Sequence, residues 1–252
     1  ALRKEVIAAE KAKAAAEKAE RARISWMIRA QANAALAEQN EYNSLLPEAI
    51  VNLGVSAILQ NPELPNGCEI TALATLLNYK GLNASKTYLA DHYLPQFPFY
   101  ATGKNDDRAG GDPNYYFAGN PRSNSNAYYC FASPIVEAGN VFLQEQGSAL
   151  IASDITGTDE QGLIAQLDAG NPIITWGTLS MGNAFTFAPN AWIINENGDK
   201  HIPFLNLHCV VLFGYDDTFF YLADPLRGNV AYKRSTFMNA YQQIGSRAVI
   251  IS

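Results

Sequence analysis

Hydrophobic and polar positions divide the chain into three zones. Residues 1–45 hold few large apolar residues (Val6, Ile7, Ile24, Trp26, Met27, Ile28 and Leu36) and no Gly or Pro before Pro47. Fourteen alanines among the first 40 residues, interleaved with Lys, Glu and Arg, predict one long helix. No a/d heptad is sustained, which favours a solvated helix docking locally near Trp26 over a coiled coil.

In the second zone Ile70, Leu73, Leu76 and Leu77 share a face at helical spacing and Gly81 follows as a stop, which predicts a largely buried helix over about 68–80. The stretch 85–93, SKTYLADHY, predicts a short helix with Ser85 near its cap, and another helix is expected at about 134–145, before a short strand at ALIAS. Thr158 with Gln161 three residues later reads as a capping box opening a helix that ends at Gly170. Beyond it the period changes to that of strands: PIITW (172–176), AWII (191–194), HCVVLFGY (208–215), TFFYLA (218–223), NVAYKR (229–234) and RAVIIS (247–252), with Asp216-Asp217 as a hairpin turn. Helices preceding a mostly antiparallel sheet make an α+β arrangement rather than a doubly wound one.

Residues 97–133 have no apolar period. They are rich in Gly, Asn, Asp, Pro and Tyr, and a loop of that length in a compact domain is usually functional or mobile. Tyr115, Tyr116, Phe117, Tyr128 and Tyr129 either line a cleft or pin the loop to the core. Asp106, Asp107 and Asp112 lack the spacing of a calcium loop and read as solvated turn residues.

Composition adds exclusions. The 252 residues are 48% hydrophobic and 17% charged, an ordinary globular balance long enough for one sizeable core. The net charge is −6, and residues 1–40 carry eight Lys/Arg against five Asp/Glu, leaving 10 against 19 for the rest. An acidic body argues against a nucleic-acid partner, since phosphate binding needs a clustered cationic field. No apolar run reaches about 18 residues, so no integral membrane segment is expected. Three scattered cysteines, with no C-x-x-C pair, do not form a disulfide framework or suggest zinc. The sequence starts at Ala1, and a signal peptide or anchor would lie upstream of it; an extracellular or cell-surface location is the expectation.

The stretch PNGCEI raises the question of chemistry. Cys68 at a helix start is either a small buried hydrophobe or a thiolate lowered from about pH 8.5 by the helix N-terminus, whose free N–H groups would also stabilise an oxyanion. Gly67 before it is expected to clear the approach of a substrate. A base would come from His92, His201 or His208; the first reads as a satisfied helix residue and the second as a loop residue. His208 opens an apolar strand, a rigid element whose first residue can project from the sheet edge into a cleft, with Cys209 turned to the other face as a buried thiol. Asp224 ends the next strand before Pro225. Both residues stand about eight positions from the Asp216-Asp217 turn, a register that sets Asp224 opposite His208, although an Asp-Pro turn is the alternative reading.

The blocks QNPELPNGCEITALATLLNYKG, DPNYYFAGNPRSNS, LHCVVLFGYDD and YLADP together resemble the double-glycine (bacteriocin-processing) peptidase-like branch of papain-fold cysteine peptidases, over about residues 55–252. The resemblance implies a papain-like domain at 46–252, a central helix packed on a mostly antiparallel sheet, with 1–45 as a helical extension. It implies Cys68 as nucleophile, His208 as general base and then acid, and Asp224 as the group that orients the imidazole. Gln60 becomes the side-chain donor of the oxyanion hole, eight residues before the cysteine where papain has six. A peptide or protein is the implied substrate, and no metal or organic cofactor is implied. Two alternatives stay open: an acyltransferase, in which an amine replaces water, and an inert binding member of the fold.

Overall fold

The computed structural model describes residues 2–45, 48–103 and 108–252; Asp106 and Asp107 therefore lie outside the described residues. Among the described residues there are six α-helices: α1 (Leu2–Leu45), α2 (Cys68–Tyr79), α3 (Lys86–His92), α4 (Ala132–Glu145), α5 (Glu160–Asp168) and α6 (Arg234–Gln243). Thirteen strands accompany them: β1 (Val51–Asn52), β2 (Gln96–Phe97), β3 (Tyr100–Ala101), β4 (Arg108–Gly110), β5 (Phe117–Ala118), β6 (Ala152–Asp154), β7 (Ile173–Thr178), β8 (Trp192–Ile194), β9 (Lys200–His201), β10 (Leu207–Tyr215), β11 (Phe219–Asp224), β12 (Gly228–Lys233) and β13 (Ala248–Ile251).

Alternation along the strands builds the main sheet, ordered β12-β11-β10-β7-β13-β6 with β1 also paired to β10. Every pairing in it is antiparallel. Along β10, Cys209, Val211 and Phe213 face one core with α2 and α4, whereas Val210, Leu212 and Tyr215 face a second with α5 and α6. β7 divides its residues likewise: Ile174 and Trp176 join the first core and Ile173 the second. A sheet covered on both faces explains why β10 and β11 are buried over nearly their whole length.

Several boundaries differ from expectation. Asp159, not Thr158, caps α5 by accepting from Gly162 N–H, because the Thr158 hydroxyl is spent on the Ile155 carbonyl. NVAYKR ends at Lys233, and α6, unanticipated, follows with Phe237, Met238, Ala240 and Tyr241 buried. AWII belongs to a separate four-stranded sheet, β3-β4-β8-β9. The long loop 97–133 is held by its aromatics: Phe117 and Tyr129 are buried, and Phe99 and Trp192 pack edge to face about the Arg108 guanidinium. Tyr115 is exposed.

The long helix docks, but not through Trp26, which is 65% exposed. Ile24 and Ala35 are buried, and Tyr42 meets Phe219 and Tyr221 edge to face. The remaining anchors are polar. Gln39 accepts from Ala231 N–H at 2.8 Å. Glu38 accepts from Lys233 N–H at 3.0 Å and from the Thr236 hydroxyl at 2.6 Å. Gln31 lies so close to Gly182 that a Cβ there would sit 2.3 Å from its Cδ. Such contacts leave no trace in apolar periodicity, which is why the pattern understates them.

Lys233 itself provides no side-chain cap for α6, so Glu38 supplies the carboxylate at that helix start from another element. Glu38→Ala is expected to lower unfolding free energy by about 1–2 kcal/mol. Urea unfolding measures it; an unchanged midpoint would show that α1 adds nothing to the stability of α6.

Candidate active site

Cys68 is the first residue of α2, in a helix buried from Cys68 through Leu77. Apolar residues on all sides of the helix, rather than one stripe, reflect its position between the sheet and α4. Gly67 precedes it with φ of −109°. A Cβ on Gly67 would lie 2.7 Å from Leu64 Cβ, so the glycine serves the packing of the entering loop and not the approach of a substrate.

Cys68 is 8% exposed. Its S–H donates to Glu69 Oε2 at 3.3 Å, and the Cys209 N–H of β10 points to the sulfur. Burial above all, then the Glu69 carboxyl, pushes the Cys68 thiol well above its ordinary value, and the Cys209 N–H only partly offsets this. The expectation of a thiolate lowered by the helix N-terminus is thus reversed in this resting geometry: desolvation and a neighbouring acid outweigh the helix field.

His208 and Asp224 meet at the ends of β10 and β11. His208 Nε2 lies 2.8 Å from Asp224 Oδ1, both side chains 3% exposed. The register is not the one expected. Tyr215 pairs with Phe220, so the hairpin connection is longer than Asp216-Asp217 alone, and an irregularity between Leu212 and Gly214 shifts the pairing again. Ala223 therefore stands opposite Val211, which sets Asp224 level with Val210, one same-face step from His208. The pair forms diagonally across the ladder. Burial alone would raise the Asp224 carboxyl, but His208, the Leu226 N–H and Arg227 together carry it below the usual value. An ionised Asp224 can only accept, so Nε2 donates the proton of this bond.

Gln60 is 2% exposed beside this pair, its backbone N–H donating to the Pro225 carbonyl at 2.8 Å. Its side-chain amide donates to Pro65 O at 2.8 Å, and Oε1 is buried with no partner. Lys86 of α3 holds this loop by donating to the carbonyls of Leu59 and Gln60 and pairing with Glu63. The other histidines stand apart. His92 stacks near Tyr88 on α3, and His201 is hydrogen-bonded to the Tyr129 hydroxyl at 2.9 Å rather than solvated. Cys209 is fully buried in the first core, as strand alternation requires, and all three cysteines are free. Among the described residues no cluster fits a metal ion, and no helix is long and apolar enough to cross a membrane.

One residue of the site escaped the sequence reading. Glu69 is 0% exposed, with Oε2 on the Cys68 thiol and Oε1 accepting from Cys130 N–H at 3.3 Å. The Cys130 carbonyl in turn accepts from Trp176 Nε1 at 2.9 Å. Burial without a cation in contact pushes the Glu69 carboxyl up to about 7. The available signal was an acid inside the apolar run CEITALATLL, which passes for an ordinary first-turn helix acid.

The Peptidase_C39 like family matches residues 52–249. The uncharacterized protein YvpB of Bacillus subtilis (strain 168) is 34% identical over 193 residues, spanning 75% of this chain and 70% of that one. A crystal structure described as a C39-like peptidase from Bacillus anthracis is similar with a TM-score of 0.67 at 30% identity, over 82% of this chain and 98% of the other. A double glycine motif protease from an AMS/PCAT transporter, solved with its leader peptide, has a TM-score of 0.41 at 15% identity, over 80% of this chain and 94% of that one.

The raised Glu69 value makes folding pH-dependent. The folded protein binds this proton more tightly than the unfolded chain, so its contribution to stability falls as pH rises from about 4.5 to about 7. Across that window Glu69→Gln is expected to gain on the order of 3 kcal/mol relative to the unmodified protein. Chemical denaturation of both at several pH values measures the gap, and parallel pH profiles would contradict it.

Proposed function

Because the chain belongs to the Peptidase_C39 like family, whose α+β papain-like fold it shares, we propose that it is a cysteine peptidase acting on a peptide or related amide bond through Cys68, His208 and Asp224. The observation that carries this reading is the 2.8 Å His208–Asp224 pair, set at the sheet end next to the strand residue whose N–H points to the Cys68 sulfur. In the reaction His208 Nδ1 takes the thiol proton and the sulfur attacks the carbonyl carbon. The Cys68 N–H and the second amide hydrogen of Gln60 stabilise the oxyanion. His208 then protonates the departing amine, and water activated by the same ring clears the acyl-enzyme.

A second reading has its own support. Cys68 is 8% exposed and Gln60, His208 and Asp224 are each 2% exposed, a closure that suits a binding member of the fold which does not turn over.

An epoxysuccinyl peptide probe separates the two. The peptidase reading expects Cys68 to be labelled, and peptide-library cleavage to be lost in Cys68→Ala and to drop roughly a hundredfold or more in Asp224→Ala. Absence of labelling on folded protein would support the closed-cleft reading. Labelling with amine incorporation in place of hydrolysis would point to an acyltransferase.

A further inference from the structure

Glu69 stands on the reacting sulfur without a role in the steps above. It is 0% exposed, closer in sequence to Cys68 than any other polar residue of the site, and its two oxygens are engaged by the Cys68 thiol and the Cys130 N–H, each at 3.3 Å. The groups around it are neutral or remote. The segment before α4 presents the Cys130 thiol and Tyr129, and β10 presents the Cys209 thiol. From β11 the Asp224 carboxylate acts on Cys68. Arg247 is stacked 3.5 Å from the Phe131 ring centroid and donates to Asn114. Among the described residues no ion pair neutralises Glu69.

We propose that Glu69 is a catalytic proton-holding group of the same site, its acid form donating O–H to the Cys68 thiolate and its ionised form holding Cys68 as a thiol. The inference rests on Cys68 being the nucleophile. The proton account is simple. When His208 takes the thiol proton, an acid Glu69 keeps its own and turns its O–H toward the sulfur, so one new negative charge gains a charge-assisted hydrogen bond. When Glu69 is already ionised, the same step would place two negative charges in contact inside a desolvated pocket, and the thiol is retained instead. The titration of Glu69 near 7 puts both forms within the ordinary pH range. Thiolate supply is thereby governed by a carboxyl that the Cys-His-Asp set does not include, and neutral to acid conditions favour the armed form.

The test follows the two protons separately from turnover. Thiolate formation is read by ultraviolet difference absorbance of the full chain against Cys68→Ser over a pH series, for the unmodified protein and for Glu69→Gln, whose amide can donate to the thiolate at every pH. The expectation is a broadened thiol titration in the unmodified protein and a single-proton titration at least tenfold more acidic in Glu69→Gln. Coinciding curves, or a more basic thiol in the variant, would overturn the proposal. If Glu69→Gln does not fold, carbon-13 NMR of the Glu69 carboxyl replaces it. Because the ionised carboxyl is the form that accepts the S–H, its titration must lie lower in the unmodified protein than in Cys68→Ala, which removes that donor, and identical titrations would overturn the proposal. Loss of Cys68 itself as the nucleophile appears differently, as probe labelling or cleavage that survives in Cys68→Ser.

Discussion

A helix start sealed from water must find donors inside the protein for the sulfur and the carboxyl it carries, and the start of α2 is such a start. The surrounding architecture answers that constraint. β10 brings the Cys209 N–H to the sulfur, the segment before α4 brings the Cys130 N–H to Glu69, and Trp176 of β7 fixes the Cys130 peptide from its other side. Three elements distant in sequence are thus indexed to one helical turn. The entering loop is fixed in the same way, by Lys86 on two of its carbonyls and by Pro225 on the Gln60 N–H. Pro225 also follows Asp224, so the positions of Gln60 and of the His208–Asp224 pair are mechanically one.

Burial explains why the electrostatics run against a simple helix-dipole picture. The field of a helix end is worth at most a few kcal/mol, and removing a thiolate from water beside an acid costs more. The resting geometry therefore holds Cys68 as a thiol, between an Asp224 carboxyl carried below its usual value and a Glu69 carboxyl raised to about 7.

Much of this was legible in the sequence because the relevant residues sit at element boundaries. Cys68 follows a Pro-Asn-Gly turn and opens an apolar helical period, His208 opens an apolar strand, and Asp224 closes one before a proline. The diagonal geometry of the pair was not legible, since it depends on a strand irregularity that no local residue type announces. Glu69 hides because a helix-start acid is favourable in water and only tertiary burial changes its meaning. α6 hides because its four buried residues follow directly on a strand. The docking of α1 is carried by Gln31, Glu38 and Gln39, whose side chains look solvated in any hydropathy pattern.

The bonds from α1 to β12 and α6 join residues 192, 195 and 198 positions apart. Contacts so remote require most loop closure to precede them, so a segment synthesised before the rest of this domain is seated among the last. An alanine-rich helix is suited to that delay. It forms on its own local propensity and has little apolar surface with which to capture the wrong partner while it waits.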